Sequence, residues 1–584
     1  MSATDETGAT SATGTAGETA RQGDELIRRA PSGYLWNQAF SLWLFFSLFI
    51  FQLVLTRTVS KPDRGTFTQL TAAANFAIVL AALGLESAGS VYLPRALAEH
   101  GPAHGAAVAM RLALVRLGAT LLVAAGVLFS LPLLGHILTS LHAPGAGDLA
   151  AQLEDPVLGQ HTLAVATYVI AAGMMNLLAS FLTALLRTRV VFIAGGAAQL
   201  LTLGLVVVFL GDLHLSVDSG LLAQTAPALL TSLVYVVALW RTLRARPAKR
   251  TGGQLTWPML RLGIAAWLAD LPTGLLKAIP VAQLLALLPL AGLSGTEVDS
   301  RLAGFDVAFQ MGHAAAFLFV AGLGGVGLAV MSAAYANANQ GHLATAWRTV
   351  GKLQVVLAVP VVAFCVPHAK AISVAFYGQP YAEVGPLLAL FLVFNALVRL
   401  GGGGAHDAAL YVIGKQRWVV LTRWASIGVL ALGDLALIPP FGVAGALAAV
   451  GLAQLFSELA LLVLAWRALR RPYVFGFMAR VLLAMVPALL FASLWRPDSL
   501  VGLFFSGLGY AAIFLVCLRV ARPLDAEDRM LLDAVARPLR AALLPFVAPA
   551  RIAPATVGAA TTLPPRSLEP VGSGPLPIPG KEPR

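Results

Sequence analysis

The sequence predicts an all-α polytopic membrane protein with about 14 transmembrane helices, arranged as two six-helix lobes followed by two C-terminal helices. Of its 584 residues, 58% are hydrophobic and 12% are charged, whereas soluble domains are about 45–50% apolar and about 25% charged. The apolar residues fall in blocks of about twenty, the length of a helix that crosses about 30 Å of hydrocarbon. The blocks lack the alternation of apolar and polar positions that the strands of a membrane β-barrel require.

The apolar blocks divide the chain into segments. The predicted spans are 34–56, 67–93, 112–138, 161–186, 190–210, 220–240, 262–290, 303–333, 353–375, 384–412, 418–438, 442–466, 481–496 and 500–520. The predicted domains are a disordered cytoplasmic tail (1–33), the N-lobe (34–240), a basic cytoplasmic linker (241–261), the C-lobe (262–466), helices 13 and 14 (467–522), and an interfacial helix with a disordered tail (523–584).

The lysines and arginines lie mostly in short loops, and every second loop is basic. Cytoplasmic loops of membrane proteins carry such an excess of Lys and Arg. The basic loops contain Arg95, Arg111, Arg187, Arg189, Arg241, Arg244, Arg246, Lys249, Arg250, Arg348, Lys352, Lys415, Arg417, Arg467, Arg470, Arg471 and Arg522. The first loop, with Arg57, Lys61 and Arg64, departs from the alternation. The pattern predicts a multi-pass plasma-membrane protein with both termini cytoplasmic, and it explains the net charge of +12 without a nucleic-acid partner.

An internal repeat relates the two predicted lobes. The segment Thr183–Val191 recurs loosely as Ala409–Val420, about 230 residues later, and a similar offset takes the first span to the seventh. Internal repeats are common in secondary transporters, whose substrate site lies between the repeats. Gene duplication without transport is the alternative explanation.

Ionisable residues inside the predicted spans are the main candidates for a functional site. A charge at the bilayer centre costs about 2.5–3.5 kcal/mol on insertion scales, so such residues usually face a cavity or a partner. The candidates are Glu86, Asp270, Lys277, Asp306, His313, Arg399, His406, Asp407, Asp434 and Glu458. Pairing between helices, or a position at the membrane interface, is the structural alternative for each of them.

Three groups of these residues fall in the predicted C-lobe. Asp270 and Lys277 are seven residues apart, which is two helical turns, and therefore share one helix face. Asp306 and His313 repeat that spacing in the eighth span. In the tenth span, Arg399, His406 and Asp407 flank the run Gly401–Gly404, where a helix is expected to break or bend. The three groups are expected to point charges at a shared space.

The sequence contains none of the common catalytic or cofactor motifs. There is no phosphate-binding loop of the Gly-x-x-x-x-Gly-Lys-Ser/Thr type, no Gly-x-Ser-x-Gly elbow and no His-Glu-x-x-His motif. Cys365 and Cys517 both lie in apolar segments, and His406-Asp407 alone offers too few ligands for a metal ion. We therefore predict a non-enzymatic protein with no catalytic residues, no metal and no cofactor.

Several stretches resemble the polysaccharide flippases of the multidrug/oligosaccharidyl-lipid/polysaccharide exporter superfamily. Leu55–Phe67 and Gly84–Arg95 are similar to the family's first loop and second span, and the matching positions are Arg57, Asp63, Gly65, Gly84 and Tyr92. Later stretches that resemble the family are Phe376–Pro386, Gly414-Lys415 and Phe441–Ala446. The resemblance covers roughly residues 34–470, and the two further spans resemble the fourteen-span lipid II flippases.

The resemblance implies two six-helix lobes around a central cavity that opens alternately to each side of the membrane. It also implies an undecaprenyl-pyrophosphate-linked oligosaccharide, or a similar lipid-linked sugar, as the substrate. Membrane lipids and enzymes of cell-envelope glycan synthesis are the partners that it suggests. The alternatives are an ion-coupled drug exporter of the same superfamily and a non-transporting scaffold for envelope synthesis.

The implied substrate assigns expected roles to the charged candidates. Lys277 and Arg399 are expected to contact the substrate phosphates, with Arg57 at the mouth of the cavity. The residues expected to line the cavity or couple transport to an ion are Asp270, Asp306, His406 and Asp407.

Overall fold

The computed structural model describes residues 42–44, 46–100, 102–140, 156–185, 187–213, 218–243, 257–318, 320, 331, 340–495, 497 and 499–523. Within these residues the chain is helical and contains no β-strand, so the predicted all-α fold class is confirmed. The predicted tail 1–33, most of the linker 241–261 and the interfacial helix with its tail beyond Pro523 lie outside the described residues.

The helices follow one another with short connections. In chain order they are α1 (Leu42–Thr58, apart from residue 45), α2 (Lys61–Ala82), α3 (Leu85–His100), α4 (Pro102–Ser140), α5 (Pro156–Ala184), α6 (Thr188–Val206, continued by the π-helical Val207–Asp212), α7 (Asp218–Leu243), α8 (Trp257–Leu290), α9 (Gly295–Phe317), α10 (Gln340–Tyr377), α11 (Val384–Gly401), α12 (Ala405–Val412), α13 (Gln416–Phe441), α14 (Val443–Leu469), α15 (Phe475–Leu494) and α16 (Leu500–Ala521).

Twelve spans of the described chain are long and apolar enough to cross a membrane, with α11 and α12 counted as one. The helices α1 and α9 stand at the first and eighth predicted spans: α1 is shorter, and α9 carries charged residues in its first two turns. Large apolar side chains such as Leu122, Leu432 and Val520 are 71–80% exposed on the helix surfaces, as expected for side chains that face lipid. The chain is a multi-pass membrane protein.

Within the residues that the structure describes, two predicted spans are interrupted, each at glycine. The second span breaks between α2 and α3, where Leu83 and Gly84 adopt left-handed backbone angles (φ 47° and 64°). The tenth span breaks between α11 and α12, because Gly402, Gly403 and Gly404 all have positive φ. Glycine adopts such angles without the steric cost that a Cβ atom imposes. The break that was predicted at Gly401–Gly404 is therefore present.

The buried apolar residues divide between the two halves of the chain. Two clusters draw their members from residues up to Met259. Two others draw theirs from Val281 onward, with Ala72 of α2 as the exception. The helices α15 and α16 belong to the last of these clusters, where they pack against α10. Each half thus has its own core, and we call them the N-half and the C-half.

One backbone hydrogen bond recurs in the two halves. The amide of Arg187 donates to the carbonyl of Leu182, and the amide of Lys415 donates to that of Leu410, both over 2.8 Å. Each of these hydrogen bonds joins an amide to the carbonyl five residues before it. Both bonds lie in the loops that the sequence repeat relates, and a long helix follows each loop. The duplication expected from the sequence therefore has a local structural counterpart.

A second pair of equivalent features lies where the halves meet. Helix α2 begins at Ser60 with Asp63 in its first turn, and α9 begins at Ser294 with Glu297 in the same relative place. Gly65 and Asp299 are separated by the same number of residues as Ser60 and Ser294, so they occupy equivalent positions in the two helices. A Cβ atom added at Gly65 would overlap the carbonyl of Asp299. Only a residue without a side chain permits the two backbones to approach so closely. Helix α2 also packs along α8, so α2 is the main contact of the N-half with the C-half.

Candidate functional site

The contact between the halves is built around Arg64, whose side chain is fully buried. Ser60 caps α2 and accepts a hydrogen bond from the amide of Asp63, which sets the helix start one turn before Arg64. The guanidinium donates to the Gln52 carbonyl (3.1 Å), to the Gln52 side chain (2.7 Å) and to the Thr56 hydroxyl of α1. Helix α1 thus orients Arg64 toward the C-half.

Arg64 forms a buried three-member charge cluster with Asp306 and Lys277 of the C-half. Its Nη2 atom lies 3.1 Å from Oδ2 of Asp306, and the Lys277 Nζ atom lies 2.6 Å from the other carboxylate oxygen. Gln310, one turn further along α9, donates to Asp306 over 3.3 Å. One carboxylate therefore bridges a cation of the N-half and a cation of the C-half. We call Arg64, Lys277 and Asp306 the bridging cluster.

The bridging cluster carries two positive charges and one negative charge. The Nε atom of Arg64 has no hydrogen-bond partner among the described residues, although it is buried. Charges inside a membrane protein need a partner, and an anion that enters here would meet a net positive site. The arrangement can accept an anionic group in exchange for, or beside, the Asp306 carboxylate.

The outer ends of the helices form a second contact between the halves. Here "outer" denotes the side with the loop after α1 and the loop after α10, which the charge pattern predicts to be extracytoplasmic. Arg57 donates from Nε to the carbonyl of Phe376 (3.0 Å) and from Nη2 to that of Ala375 (3.2 Å). Lys61 is paired with Glu383. The outer side is closed in this structure.

Two further side chains tighten the outer contact. Gln69 of α2 donates to the Asp299 carboxylate over 2.6 Å. The ring of Tyr381 lies 5.6 Å from the Lys61 ammonium and is buried in the loop after α10. Burial raises the pKa of the Tyr381 phenol, because water no longer stabilises the phenolate. Tyr381 therefore stays neutral and contributes packing to the closed outer side.

A cavity of about 200 Å³ lies between α1 and α9, next to the bridging cluster. Gln52 and Gln310, which hydrogen-bond to the cluster, also line this cavity. His313 supplies a third polar side chain, and it contacts the Phe309 carbonyl (3.0 Å) and Gln454 (3.2 Å). Apolar residues of both helices and Tyr377 of α10 form the rest of the wall. The cavity therefore combines polar and apolar groups between the halves.

Arg399 of the C-half contacts one of the residues that line this cavity. Its guanidinium stacks on the ring of Phe317, a cavity-lining residue, with 4.0 Å between the guanidinium carbon and the ring centroid. The side chain is 6% exposed, and it lies 3.4 Å from the Gln354 amide oxygen. Neither Lys277 nor Arg399 lines the cavity itself: Lys277 is connected to the lining residue Gln310 through Asp306, and Arg399 contacts the lining residue Phe317.

His406 lies elsewhere, in a buried network below the glycine break. The indole of Trp347 donates to Nδ1 of His406 over 2.8 Å, and Nε2 of His406 lies 2.7 Å from the carbonyl of Gly401. Because an indole only donates, Nδ1 must be unprotonated and Nε2 carries the hydrogen. Glu458 lies 3.3 Å from that Nε2 atom. In this arrangement His406 is a neutral residue that holds the start of α12 against α11.

Asp270 and Asp407 share a partner that the sequence did not single out. Arg423 of α13 lies 2.6 Å from Asp407 and 3.6 Å from Asp270, and it also donates to the Ala269 carbonyl over 2.8 Å. Asp270 and Lys277 thus share a helix but not a partner, since Lys277 turns to Asp306. The charges are therefore regrouped: Lys277 pairs with Asp306, whereas Asp270 and Asp407 share Arg423. Of these two clusters, the bridging cluster is the one that includes a residue of the N-half.

Sequence reasoning missed the most buried member of the site. The sequence predicts Arg64 in the first loop, where it departs from the charge alternation, whereas the structure puts it in the second turn of α2. The capping sequence Ser60-Lys-Pro-Asp63 was the available signal, because Ser followed by Pro and an acidic residue marks a helix start. Gln52 and Gln310 carry no charge, so a search for ionisable residues in the predicted spans does not find them.

Comparisons with known proteins agree with this architecture. No protein-family model matches the chain, and no curated protein sequence matches it. The solved structure of lipid II flippase MurJ in an inward closed conformation has a TM-score of 0.62, 11% identity, and covers 82% of this chain and 98% of that chain. An inward-facing multidrug resistance MATE family transporter of the MOP superfamily has a TM-score of 0.54, 16% identity, and covers 74% and 94%. The chain has the fold of these transporters, as the resemblance predicted.

Proposed function

We propose that this protein is a membrane transporter that flips a lipid-linked oligosaccharide or polysaccharide precursor across the plasma membrane by alternating access. The observation that carries the proposal is the bridging cluster, in which the Asp306 carboxylate joins cations from both halves beside an open cavity. Support for the transporter class comes from the fold that the chain shares with MATE and MurJ structures. Because these structures share only 16% and 11% sequence identity with the chain, they support the fold, and the substrate is our proposal.

The first step of the mechanism is an exchange of anions. In the closed outer state, Asp306 is paired with both Arg64 and Lys277. The phosphate of an anionic lipid headgroup that enters the cavity competes with Asp306 for Lys277, and Arg399 behind Phe317 adds a second positive charge. Charge-assisted hydrogen bonds to phosphate are among the strongest that a protein can form.

The second step is the separation of the halves. When the phosphate binds Lys277 in place of Asp306, the ion pair between Arg64 and the C-half weakens. The outer contacts of Arg57 and Lys61 are then the contacts that still hold the halves together, without support from the buried ion pair. A ligand shifts a conformational equilibrium only by binding one state better than the other. The exchange at Asp306 provides that difference in affinity.

The polar groups of the cavity suit the head of a lipid-linked sugar. Gln52, Gln310 and His313 offer hydrogen-bonding groups to sugar hydroxyls, and the cavity lies between α1 and α9. Because a polar sugar and a charged phosphate do not cross hydrocarbon unaided, the two helices must part to admit the head while the lipid tail stays in the bilayer.

The charge of the site favours an anionic substrate over a cationic drug. Two cations and one carboxylate meet in the bridging cluster, and a further cation, Arg399, stacks at the cavity wall. A cationic drug would be repelled by this excess of positive charge. This repulsion makes an ion-coupled drug exporter the weaker candidate. The transport assay distinguishes a drug exporter from a lipid-linked oligosaccharide flippase.

The test is a flipping assay in proteoliposomes with a fluorescent polyprenyl-pyrophosphate oligosaccharide in one leaflet, read by a quencher that does not cross membranes. We expect the wild type to move the probe, Lys277→Ala to stop it, and Arg301→Ala to leave it unchanged. Arg301 is the matched control, since it is an exposed cation on α9 with the same charge. Movement of ethidium but not of the glycolipid probe would contradict the proposed substrate. Movement of neither would favour a non-transporting scaffold for envelope-synthesis enzymes.

A further inference from the structure

The glycine break at Gly402–Gly404 lies beside a buried cation that the bridging cluster does not include. Arg399 is one turn before the break, and its guanidinium stacks on the ring of Phe317. Phe317 is eleven residues beyond Asp306 on α9, which is about 16 Å of helix. Arg399 is therefore closer than the bridging cluster to the side that the charge pattern predicts to be cytoplasmic.

Arg399 has fewer partners than a buried cation normally has. Its Nε atom has no hydrogen-bond partner in the described part of the chain, although the side chain is 6% exposed. The bond of its Nη1 atom to Gln354 is 3.4 Å long, beyond the usual range for an N–H donor. Glu458 attracts the guanidinium electrostatically, but the two described side chains do not form a direct ion pair. The guanidinium can therefore bind a further anion.

The backbone of the glycine break supplies donors at the same place. All three glycines have positive φ, and successive amides in such turns form concavities that bind anions. The amides of Gly403 and Gly404 interact with the carboxylate of Glu458, which is 7% exposed. A Cβ atom added at Gly403 would lie 2.7 Å from Nη1 of Arg399, so the guanidinium and these amides converge. We call Arg399 and the amides of Gly403 and Gly404 the inner anion site.

We propose that the inner anion site binds the headgroup phosphate of the substrate on its way between the cytoplasmic side and the bridging cluster, and that Glu458 occupies the site until the phosphate displaces it. This inference rests on the proposed function and adds a second position for the phosphate. Both positions have the same design: cationic groups face one carboxylate of the protein, Asp306 in the bridging cluster and Glu458 here. A phosphate that replaces each carboxylate in turn remains neutralised as it moves.

The surroundings of Glu458 permit such an exchange. His313 lines the cavity between α1 and α9, and it contacts Gln454, which precedes Glu458 by one turn of α14. The cavity wall therefore reaches the helix face that carries Glu458. A displaced carboxylate also has a donor nearby, since Nε2 of His406 carries the ring hydrogen and lies 3.3 Å from it. Glu458 can thus leave the amides of the break without losing every polar neighbour.

The test is calorimetric titration of the full-length protein in neutral detergent with farnesyl diphosphate, a diphosphate with a short polyprenyl tail. Glu458→Gln is expected to bind the probe about tenfold more tightly than the wild type, because a competing negative charge is removed. Arg399→Ala is expected to bind it about tenfold more weakly, because a charge-assisted hydrogen bond is lost. Asp434→Asn is the matched control with wild-type affinity: Asp434 is a fully buried carboxylate of α13, and neither of its oxygens has a hydrogen-bond partner within the described chain.

A pair of glycine variants tests the site without changing a charge. Gly403→Ala and Gly404→Ala both place a side chain at positive φ, so both strain the backbone of the break. The Cβ atom at Gly403 would overlap the Arg399 guanidinium, whereas nothing lies within 4 Å of one at Gly404. We expect Gly403→Ala to weaken binding of the probe more than Gly404→Ala does. Equal affinities in the two variants would contradict the convergence of Arg399 and the glycine amides on one anion.

The sign of the Glu458→Gln effect separates the proposal from a structural role. A residue that only supports the fold would lower the affinity and the unfolding temperature when it is changed. If Glu458→Gln unfolds at the wild-type temperature and binds the probe no more tightly, Glu458 does not compete with an anion. Wild-type affinity in Arg399→Ala, or no binding of the probe to the wild type, would overturn the inner anion site.

The titration and the flipping assay can fail independently. Wild-type flipping by Arg399→Ala would remove the inner anion site from the path and leave the flippase proposal in place. Tighter binding of the probe to Glu458→Gln, with no flipping by the wild type, would keep the site and contradict the proposed function.

Discussion

Two arginines of the N-half, Arg64 and Arg116, are both fully buried in the membrane region, yet their partners differ. Arg116 of α4 lies 3.2 Å from Glu86 and contacts the carbonyls of Ile78 (3.3 Å) and Gly173 (3.4 Å), all within the N-half. Arg64 reaches across to Asp306 of the C-half. The chemistry is the same, but one ion pair joins helices that stay together and the other joins halves that must part.

The difference shows how one kind of buried ion pair serves two purposes. A pair inside one half holds α2, α3, α4 and α5 in place, so its loss should appear as lost stability. A pair across the halves contributes to the balance between closed and open states, so its loss should appear as altered transport. The comparison predicts that the two arginines separate these two readouts.

The largest effect is expected for Arg64→Ala. Truncation removes the bond between Asp306 and the N-half while Asp306 keeps Lys277 as a partner. The loss of a hydrogen bond to a charged group costs about 1.5–3 kcal/mol, or roughly 10- to 150-fold in the transport rate. The flipping assay is the measurement, with protein yield and thermal unfolding as controls for folding. Wild-type transport by Arg64→Ala would remove the bridging cluster from the mechanism.

A second large effect is expected for Gly65→Ala. The added methyl group would overlap the backbone of Asp299, and such overpacking costs about 1–3 kcal/mol. We expect slower transport together with greater labelling of outer-side cysteines, because α2 and α9 can no longer meet. Gly118→Ala is the matched control, since nothing lies within 4 Å of its added Cβ atom. Equal behaviour of the two variants would show that the close approach at Gly65 has no role.

Arg116→Ala should give the opposite pattern to Arg64→Ala. It leaves buried polar groups of the N-half without their donor, at a cost of about 1–3 kcal/mol in the free energy of unfolding. Thermal unfolding in detergent should shift downward, while the flipping rate per folded molecule should stay near that of the wild type. If Arg116→Ala stopped transport without loss of stability, the distinction between the two arginines would be wrong.

The smallest effect is expected at the exposed outer pair. Lys61→Glu places two acidic side chains together, and Glu383→Lys in the same chain restores opposite charges. Surface ion pairs contribute about 0.2–1 kcal/mol, so the single variant should favour outer opening only slightly. Labelling of outer cysteines measures this, and the double variant should return to the wild-type level. A double variant as open as the single one would argue against a direct interaction between residues 61 and 383.

Much of the fold follows from the sequence, because span length and apolarity are local properties. The break at Gly402–Gly404 was predictable for the same reason, since a run of glycines weakens a helix wherever it lies. The internal repeat is also visible in the sequence. In the structure it corresponds to loops at Arg187 and Lys415 that form the same backbone hydrogen bond.

Ion partners were not predictable in this way, because they depend on how helices face one another. The spacing predicts that Asp270 and Lys277 share one face of a helix. Both lie on α8, yet Asp270 pairs with Arg423 and Lys277 pairs with Asp306. Arg64 resembles a loop residue by its neighbours Lys61 and Asp63, and only the docking of α2 on α9 shows that it is buried. The expected roles of Arg57, Lys277 and Arg399 in substrate binding remain predictions for the flipping assay.

The most direct measurement of the central claim is the distance across the outer contact. Spin labels at Asp63→Cys and Gln379→Cys, in a chain whose Cys365 and Cys517 are replaced by alanine, report the separation of the two halves by electron–electron resonance. The pair Thr296→Cys and Gln379→Cys, both on exposed positions of the C-half, is the control.

We predict a short distance between residues 63 and 379 in the otherwise unmodified protein and a longer one when Arg64→Ala is added. The distance between residues 296 and 379 should not change in either case. If the distance between residues 63 and 379 stayed the same without Arg64, the bridging cluster would not hold the two halves together.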